Sequence, residues 1–157
     1  MNALHFRPMN YQENKDSYVP EMLKLVSKSV YTLLDTVSEY HYKLTSIGWD
    51  PFVTTSKLTN SLPDGACILT FEYKSNTQMG NNLQLFLGTP EQGPAESRSL
   101  KLGTVTASPG WTTYTADLTA GISGWGWGVA GSYIRMDIGE NADYEIEIRN
   151  VKIVFKD

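Results

Sequence analysis

The stretch from Tyr144 to Phe155 restricts the fold more than any other part of the chain. Tyr144, Ile146 and Ile148 alternate with Glu145, Glu147 and Arg149, and the apolar parity then moves to Val151, Ile153 and Phe155. Side chains of a strand alternate strictly between its two faces, so a parity change inside one strand predicts a bulge or bend, here near Arg149–Asn150. One apolar and one polar face fit an antiparallel sheet covered on a single side, not a parallel sheet buried on both.

The same alternation runs upstream. Trp111 to Leu118 places Tyr114, Ala116 and Leu118 on one parity and Thr113, Thr115 and Asp117 on the other. Ser132 to Ile138 places Ile134, Met136 and Ile138 against Tyr133, Arg135 and Asp137, and a Gly/Trp-rich loop joins these two strands. In Ala66 to Lys74, Cys67, Leu69, Phe71 and Tyr73 share a face, and Leu83, Leu85 and Leu87 do so in the next strand, with Gln84 and Phe86 opposite. Tyr42–Thr45, Phe52–Thr55 and Ser97–Leu102 are shorter β candidates. Turn residues separate them at Gly48-Trp49-Asp50-Pro51, Pro63-Asp64-Gly65, Thr89–Glu96 and Ser108-Pro109-Gly110. Regularly punctuated short strands predict a mostly β protein, an antiparallel β-sandwich of jelly-roll type.

One segment reads differently. Met22, Leu23, Val26, Val30, Leu33, Leu34 and Val37 recur at three and four residues, the period of a helical face. Pro20 suits a first helical turn, and Ser17 or Asp16 could cap it. The expected organisation is a loose arm over 1–16, an amphipathic helix within 17–41 and the sandwich over 42–157. An isolated helix of this length is marginal in water, so the stripe at 20–37 calls for cover from the sandwich, a second copy or a protein partner.

A chain of 157 residues supports one domain with a real core. Its formal net charge of −4, without a basic run, argues against nucleic acid as partner. No apolar run approaches the ~18–20 residues that cross a bilayer. Residues 1–20 show no apolar leader segment, which suits a cytoplasmic protein or a chain that begins after a removed leader. The single cysteine, Cys67, lies in GACILTF and reads as a small buried hydrophobe.

Catalytic signatures are weak. Gly126-Trp127-Gly128-Val129-Ala130-Gly131 matches G-x-G-x-x-G, but a strand follows it, whereas a dinucleotide site needs a helix there. The two histidines, His5 and His41, have neither triad context nor metal-ligand spacing. Glu72, Asp137, Glu140, Asp143, Glu145 and Glu147 could in principle pair as glycosidase acids, but on polar strand faces they read as solvated or ion-paired. The reading is therefore not an enzyme and no cofactor. A structural Ca²⁺ is better supported than catalysis, since Asp50, Asp64, Glu140, Asn141 and Asp143 offer loop oxygens, although without a recognised ligand spacing.

The aromatics carry the functional signal. Of four tryptophans, Trp125 and Trp127 are separated by a single glycine, so an extended backbone would face both indoles the same way. A flat aromatic at a loop rim stacks on the C–H face of a sugar ring while nearby polar groups bond its hydroxyls. The competing reading has one or both plugging the end of the sandwich, and Trp49 and Trp111 lean further toward structure. Glu72, Gln84, Arg135, Asp137, Glu145, Glu147 and Arg149 all stand on polar strand faces and would form a hydrogen-bonding surface if one sheet carried them. The candidate ligand-binding residues are Trp125, Trp127, Tyr133, Arg135 and Asp137.

Four motifs also suggest a family: Phe71-Glu72-Tyr73, Trp111 with Tyr114, Arg135-Met136-Asp137, and Ile148-Arg149-Asn150-Val151. Over roughly 42–155 the chain resembles galactose-binding-domain-like jelly rolls and carbohydrate-binding modules. It is most similar to those of secreted glycan-degrading proteins from gut bacteria of the Bacteroidetes type. That resemblance implies a non-catalytic module that binds a polysaccharide or other glycan, at an extracellular or cell-surface location. The alternative is a structural or protein-interaction sandwich, a spacer or adhesin piece, with the aromatics in its core.

Overall fold

A computed structural model describes residues 15–75, 79–139 and 144–157, with side chains described for all of these except 79–82. The strands are β1 (Leu25–Lys28), β2 (Thr32–Ser38), β3 (His41–Ser46), β4 (Phe52–Thr55) and β5 (Ala66–Ser75), followed by β6 (Met79–Gly88), β7 (Ser99–Val105), β8 (Ser108–Asp117), β9 (Tyr133–Ile138) and β10 (Tyr144–Phe155). They form two five-stranded sheets, ordered β1-β4-β9-β6-β7 and β2-β3-β10-β5-β8. Neighbouring strands pair antiparallel throughout. The protein is a mostly β, jelly-roll sandwich. The inward residues meet in one core: Val53, Leu83, Leu85, Leu87, Ile134, Met136 and Ile138 from the first sheet pack with Leu44, Leu69, Phe71, Ile146, Ile148 and Ile153 from the second.

The parity change in β10 has the expected cause. Its register against β5 slips between Arg149 and Lys152, and Asn150 takes a positive φ of 59°. Asn150 is held there by bonds from its amide nitrogen to the Tyr40 carbonyl and from its side chain to Glu72 Oε1, each 3.0 Å. A left-handed residue costs a non-glycine side chain energy, and Asn tolerates it best.

The N-terminal segment differs from expectation. Residues 20–37 contain no helix; they hold an isolated bridge at Leu23, then β1, a turn and β2. Most of the apparent stripe is not buried: Val26, Val30, Leu33 and Val37 are exposed, while Leu23 of the stripe is buried together with Leu25, which breaks the period. β-Branched Val26, Val30, Thr32, Thr36 and Val37 favour strands over helix, and the pairing partners Val53–Thr55 and His41–Ser46 decide the matter. No helix is therefore available at 20–37 for self-association or a partner, and the sandwich begins before residue 42. Upstream, Tyr18 donates to the Ile153 carbonyl at 2.7 Å and Lys15 pairs with Asp157 at 2.9 Å, so the described end of the arm lies along β10. The rest of the arm, 1–14, lies outside the described residues.

A short helix, α1 (Thr119–Trp125), occupies the Gly/Trp-rich connection instead of an open loop. Asp117 Oδ1 accepts from the Thr119 N–H at 2.9 Å at its start, and left-handed Gly126, φ 68°, ends it. The G-x-G-x-x-G match thus begins where a helix stops, the reverse of a nucleotide site. Ser108-Pro109-Gly110 is drawn into β8 and is not a separate turn. Cys67 is a buried free thiol.

Candidate functional site

The outward side of the first sheet is assembled from alternate residues of three central strands. Register places Phe52 opposite Asp137 and Thr54 opposite Arg135 on one flank of β9. On the other flank Gln84 faces Asp137, Phe86 faces Arg135 and Gly88 faces Tyr133. Tyr133, Arg135 and Asp137, expected as one polar row, therefore do stand side by side.

Arg135 is the centre of this surface. Its guanidinium carbon lies 3.7 Å from the centre of the Phe52 ring and 4.7 Å from that of Phe86. Nε and Nη2 donate in parallel to Asp137 Oδ1 and Oδ2, at 2.7 and 2.8 Å, and Nη2 also stands 3.8 Å from Asp50 Oδ1. A planar cation held between two rings and a carboxylate has little rotational freedom, so its remaining edge is presented in one orientation. Burial pushes the Asp137 carboxyl above the ordinary carboxylate range, against the pull of Arg135, and the negative charges of Asp50 and Glu96 add to the rise. Gln84 is fixed too: its Nε2 donates to Glu96 Oε2 at 3.0 Å and to Ser99 Oγ at 2.9 Å. Lys101 binds Glu96 at 3.1 Å and, with Gln84, holds that carboxyl below its usual range.

Two depressions meet at Arg135. One, of about 830 Å³, is lined by Phe52, Thr54, Lys57, Pro90, Glu91 and Tyr133 among others. The second, of about 490 Å³, is lined by Trp49, Asp50, Gln84, Phe86, Glu96 and Asp137. Together they form a groove along β9 from Tyr133 to Gly139, roughly 20 Å at the rise of a strand. The Tyr133 ring lies across β6 because Gly88 has no side chain: a Cβ there would stand 2.5 Å from Tyr133 Cζ. At the other end Trp49 is 69% exposed.

Trp49 corrects the reading of the tryptophans. It leaned toward structure in the sequence, yet it is the tryptophan among the exposed large hydrophobics. Trp127 is 2% exposed, belongs to the core and donates its indole N–H to the Tyr133 carbonyl at 2.9 Å. Trp125 is half-buried against the same core. The pair does not share a face because Gly126 between them is left-handed, not extended. Trp127 is therefore removed from the candidate ligand surface, and Trp125 lies outside the groove. Phe52 and Phe86 were missed, although an aromatic on the outward parity of a half-buried strand was a signal for both.

The remaining polar residues belong to the opposite sheet. There His41 and Lys74 contact Glu147 at 2.9 and 3.5 Å, Lys43 contacts Glu145 at 3.5 Å, and Arg149 contacts Glu72 at 2.9 Å. Trp111 is half-buried beneath Arg149, whose guanidinium carbon is 3.9 Å from the ring centre. This is a cross-strand ion-pair network. Among the described residues no group of three His, Cys, Asp or Glu is arranged to hold a metal ion, and Glu140, Asn141 and Asp143 fall outside them. Among them, too, no helix is long and apolar enough to cross a membrane.

No protein-family model matches the sequence, and a comparison with curated protein sequences finds no match. Solved structures do match, and what they share with this chain is the antiparallel β-sandwich fold. A family 29 carbohydrate-binding module from Piromyces equi superposes with a TM-score of 0.54 at 11% identity, covering 86% of this chain and 89% of that one. A variant family 29 module complexed with mannohexaose gives a TM-score of 0.54 at 13% identity, over 87% of this chain and 92% of the other. The family 30 module of a cellulosomal cellulase from Clostridium thermocellum gives 0.52 at 13% identity, over 88% and 94%.

Proposed function

We propose that this protein is a non-catalytic carbohydrate-binding module, and that a glycan chain lies in the groove along β9. The observation that carries this reading is the arrangement around Arg135. A fixed row of donors and acceptors (Arg135, Asp137, Gln84 and Asp50) runs between an exposed indole, Trp49, and a half-exposed phenol, Tyr133. Sugar rings need both elements, flat apolar faces to stack on and oriented polar groups for the hydroxyls. Arg135 and Asp137 serve as hydroxyl-bonding groups, and Trp49 and Tyr133 are the stacking surfaces in place of Trp125 and Trp127, with Phe52 beneath the Arg135 guanidinium. The mannohexaose complex of a family 29 module supports an oligosaccharide as the ligand class. The finer expectations, a galactose-binding-like subtype and a secreted, Bacteroidetes-type source, rest on the four sequence motifs alone. A module of this kind works where polysaccharide is, outside the cell or at its surface.

The second reading is a protein-interaction sandwich. It is supported by the exposed Leu33 and Val37 of edge strand β2, whose outer backbone groups have no sheet partner among the described residues. Calorimetric titration with mannohexaose, cellohexaose and a panel of soluble polysaccharides separates the two. Saturable heat that disappears in a folded Arg135→Ala variant supports the groove. The absence of heat with every glycan removes it and leaves the interaction reading.

A further inference from the structure

We infer that Tyr31, outside the groove, is the positioning residue for Trp49. The inference rests on the glycan reading for its consequence but not for its geometry. An indole this exposed has no packing of its own to fix it, yet Trp49 is braced from behind. Its ring centre is 5.4 Å from that of Tyr31. Tyr31 in turn occupies the space above Gly48: a Cβ there would stand 2.2 Å from Tyr31 Cδ1 and 2.9 Å from Tyr31 Cβ. The clash reaches the root of the tyrosine side chain, so no small rotation of the ring relieves it.

The turn that carries Tyr31 is anchored to the loop that carries Trp49. Ile47 N–H donates to the Tyr31 carbonyl at 2.8 Å, Ser29 Oγ to the Asp50 carbonyl at 2.8 Å, and Phe52 N–H to Thr32 Oγ1 at 3.1 Å. Ser29 and Thr32 are both buried, and their hydroxyls also bond each other at 3.1 Å. Buried hydroxyls of this kind are kept where they fix geometry. The turn between β1 and β2 thus clamps both sides of the 47–52 loop, and Tyr31 supplies the surface that sets the indole angle. A platform held in its bound orientation spares the ligand the ordering cost, so Tyr31 raises affinity without touching sugar.

Two measurements test this. The first needs no ligand: the indole N–H resonance of Trp49, identified by its loss in Trp49→Phe, is followed in Tyr31→Ala, Tyr31→Phe and Gly48→Ala. Tyr31→Ala and Gly48→Ala are expected to shift it and leave the signals of Trp111, Trp125 and Trp127 in place, while Tyr31→Phe, which keeps the ring, restores it. An unmoved Trp49 signal in folded Tyr31→Ala overturns the positioning role whatever the glycan results. The second is a mannohexaose titration. Tyr31→Ala is expected to weaken binding about three- to tenfold, the worth of one aromatic pair, and to have no further effect in a Trp49→Ala background. Equal losses in both backgrounds overturn the inference. If the resonance moves but wild type binds no glycan, the positioning role stands and the glycan reading fails.

Discussion

Arg135 and Asp137 stand two residues apart on the outward side of β9 and are joined by parallel hydrogen bonds of 2.7 and 2.8 Å. The carboxylate is largely shielded, with a side chain 14% exposed, so it depends on the guanidinium as much as the reverse. Arg135→Ala leaves that charge without its partner and should lower stability by about 1–3 kcal/mol, read from the urea midpoint. Arg135→Lys keeps the charge but loses the fork and the stacking on Phe52 and Phe86. It should stay folded and bind glycan about tenfold or more weakly, read by calorimetry.

Trp127 and Trp49 should behave oppositely. Trp127→Ala empties a core position and should cost about 3–5 kcal/mol of stability. Trp49→Ala removes an exposed ring and should change stability by only about 0.5 kcal/mol while weakening glycan binding. Paired thermal melts and titrations separate them. A Trp49 variant that binds normally would remove it from the site.

Gly88 should be intolerant of alanine because its Cβ would enter the Tyr133 ring. Gly88→Ala must tilt Tyr133 off β6 and should reduce glycan affinity. Gly93→Ala, whose Cβ would meet only the Tyr133 hydroxyl at 3.8 Å, should not. Equal affinities in the two variants would show that the pose of Tyr133 does not matter.

Acid should weaken the fold in part through Asp117. Hydrogen bonds from the Thr119 side chain and backbone, with a smaller contribution from Lys156, lower its pKa from 3.8 to about 2. A depressed carboxylate stabilises the fold fully above its unfolded pKa, and the contribution is lost as pH falls through the folded value. Wild type should therefore lose stability between about pH 4 and pH 2, and Asp117→Asn should lose less over that window. Because the Asp117 side chain is 42% exposed, the difference should be modest and smaller in salt. Denaturant midpoints across that range provide the check.

The sequence disclosed what depends on strict alternation. β4 spans Phe52–Thr55 as read, β5 and β10 follow their parities, and the bulge falls at Arg149–Asn150. It concealed what depends on distant partners. The 20–37 segment shows a helical period because edge strand β2 faces solvent and carries no buried alternation to oppose that period. Trp125 and Trp127 part company through one left-handed glycine, and the exposed Trp49 meets Tyr31, eighteen positions earlier, with ring centres 5.4 Å apart. The site row Tyr133, Arg135 and Asp137 was legible because it lies on one strand. Its neighbours Phe52, Gln84 and Phe86 arrive through sheet order, which no local pattern states.

The most direct test is to record backbone amide and indole resonances while mannohexaose is added to the full chain. The groove account predicts saturable shifts along β4, β6 and β9 and at the Trp49 indole, with Trp111 and the opposite sheet unmoved. Shifts centred on Trp111, or on the 125–131 connection with Trp49 unchanged, would contradict it.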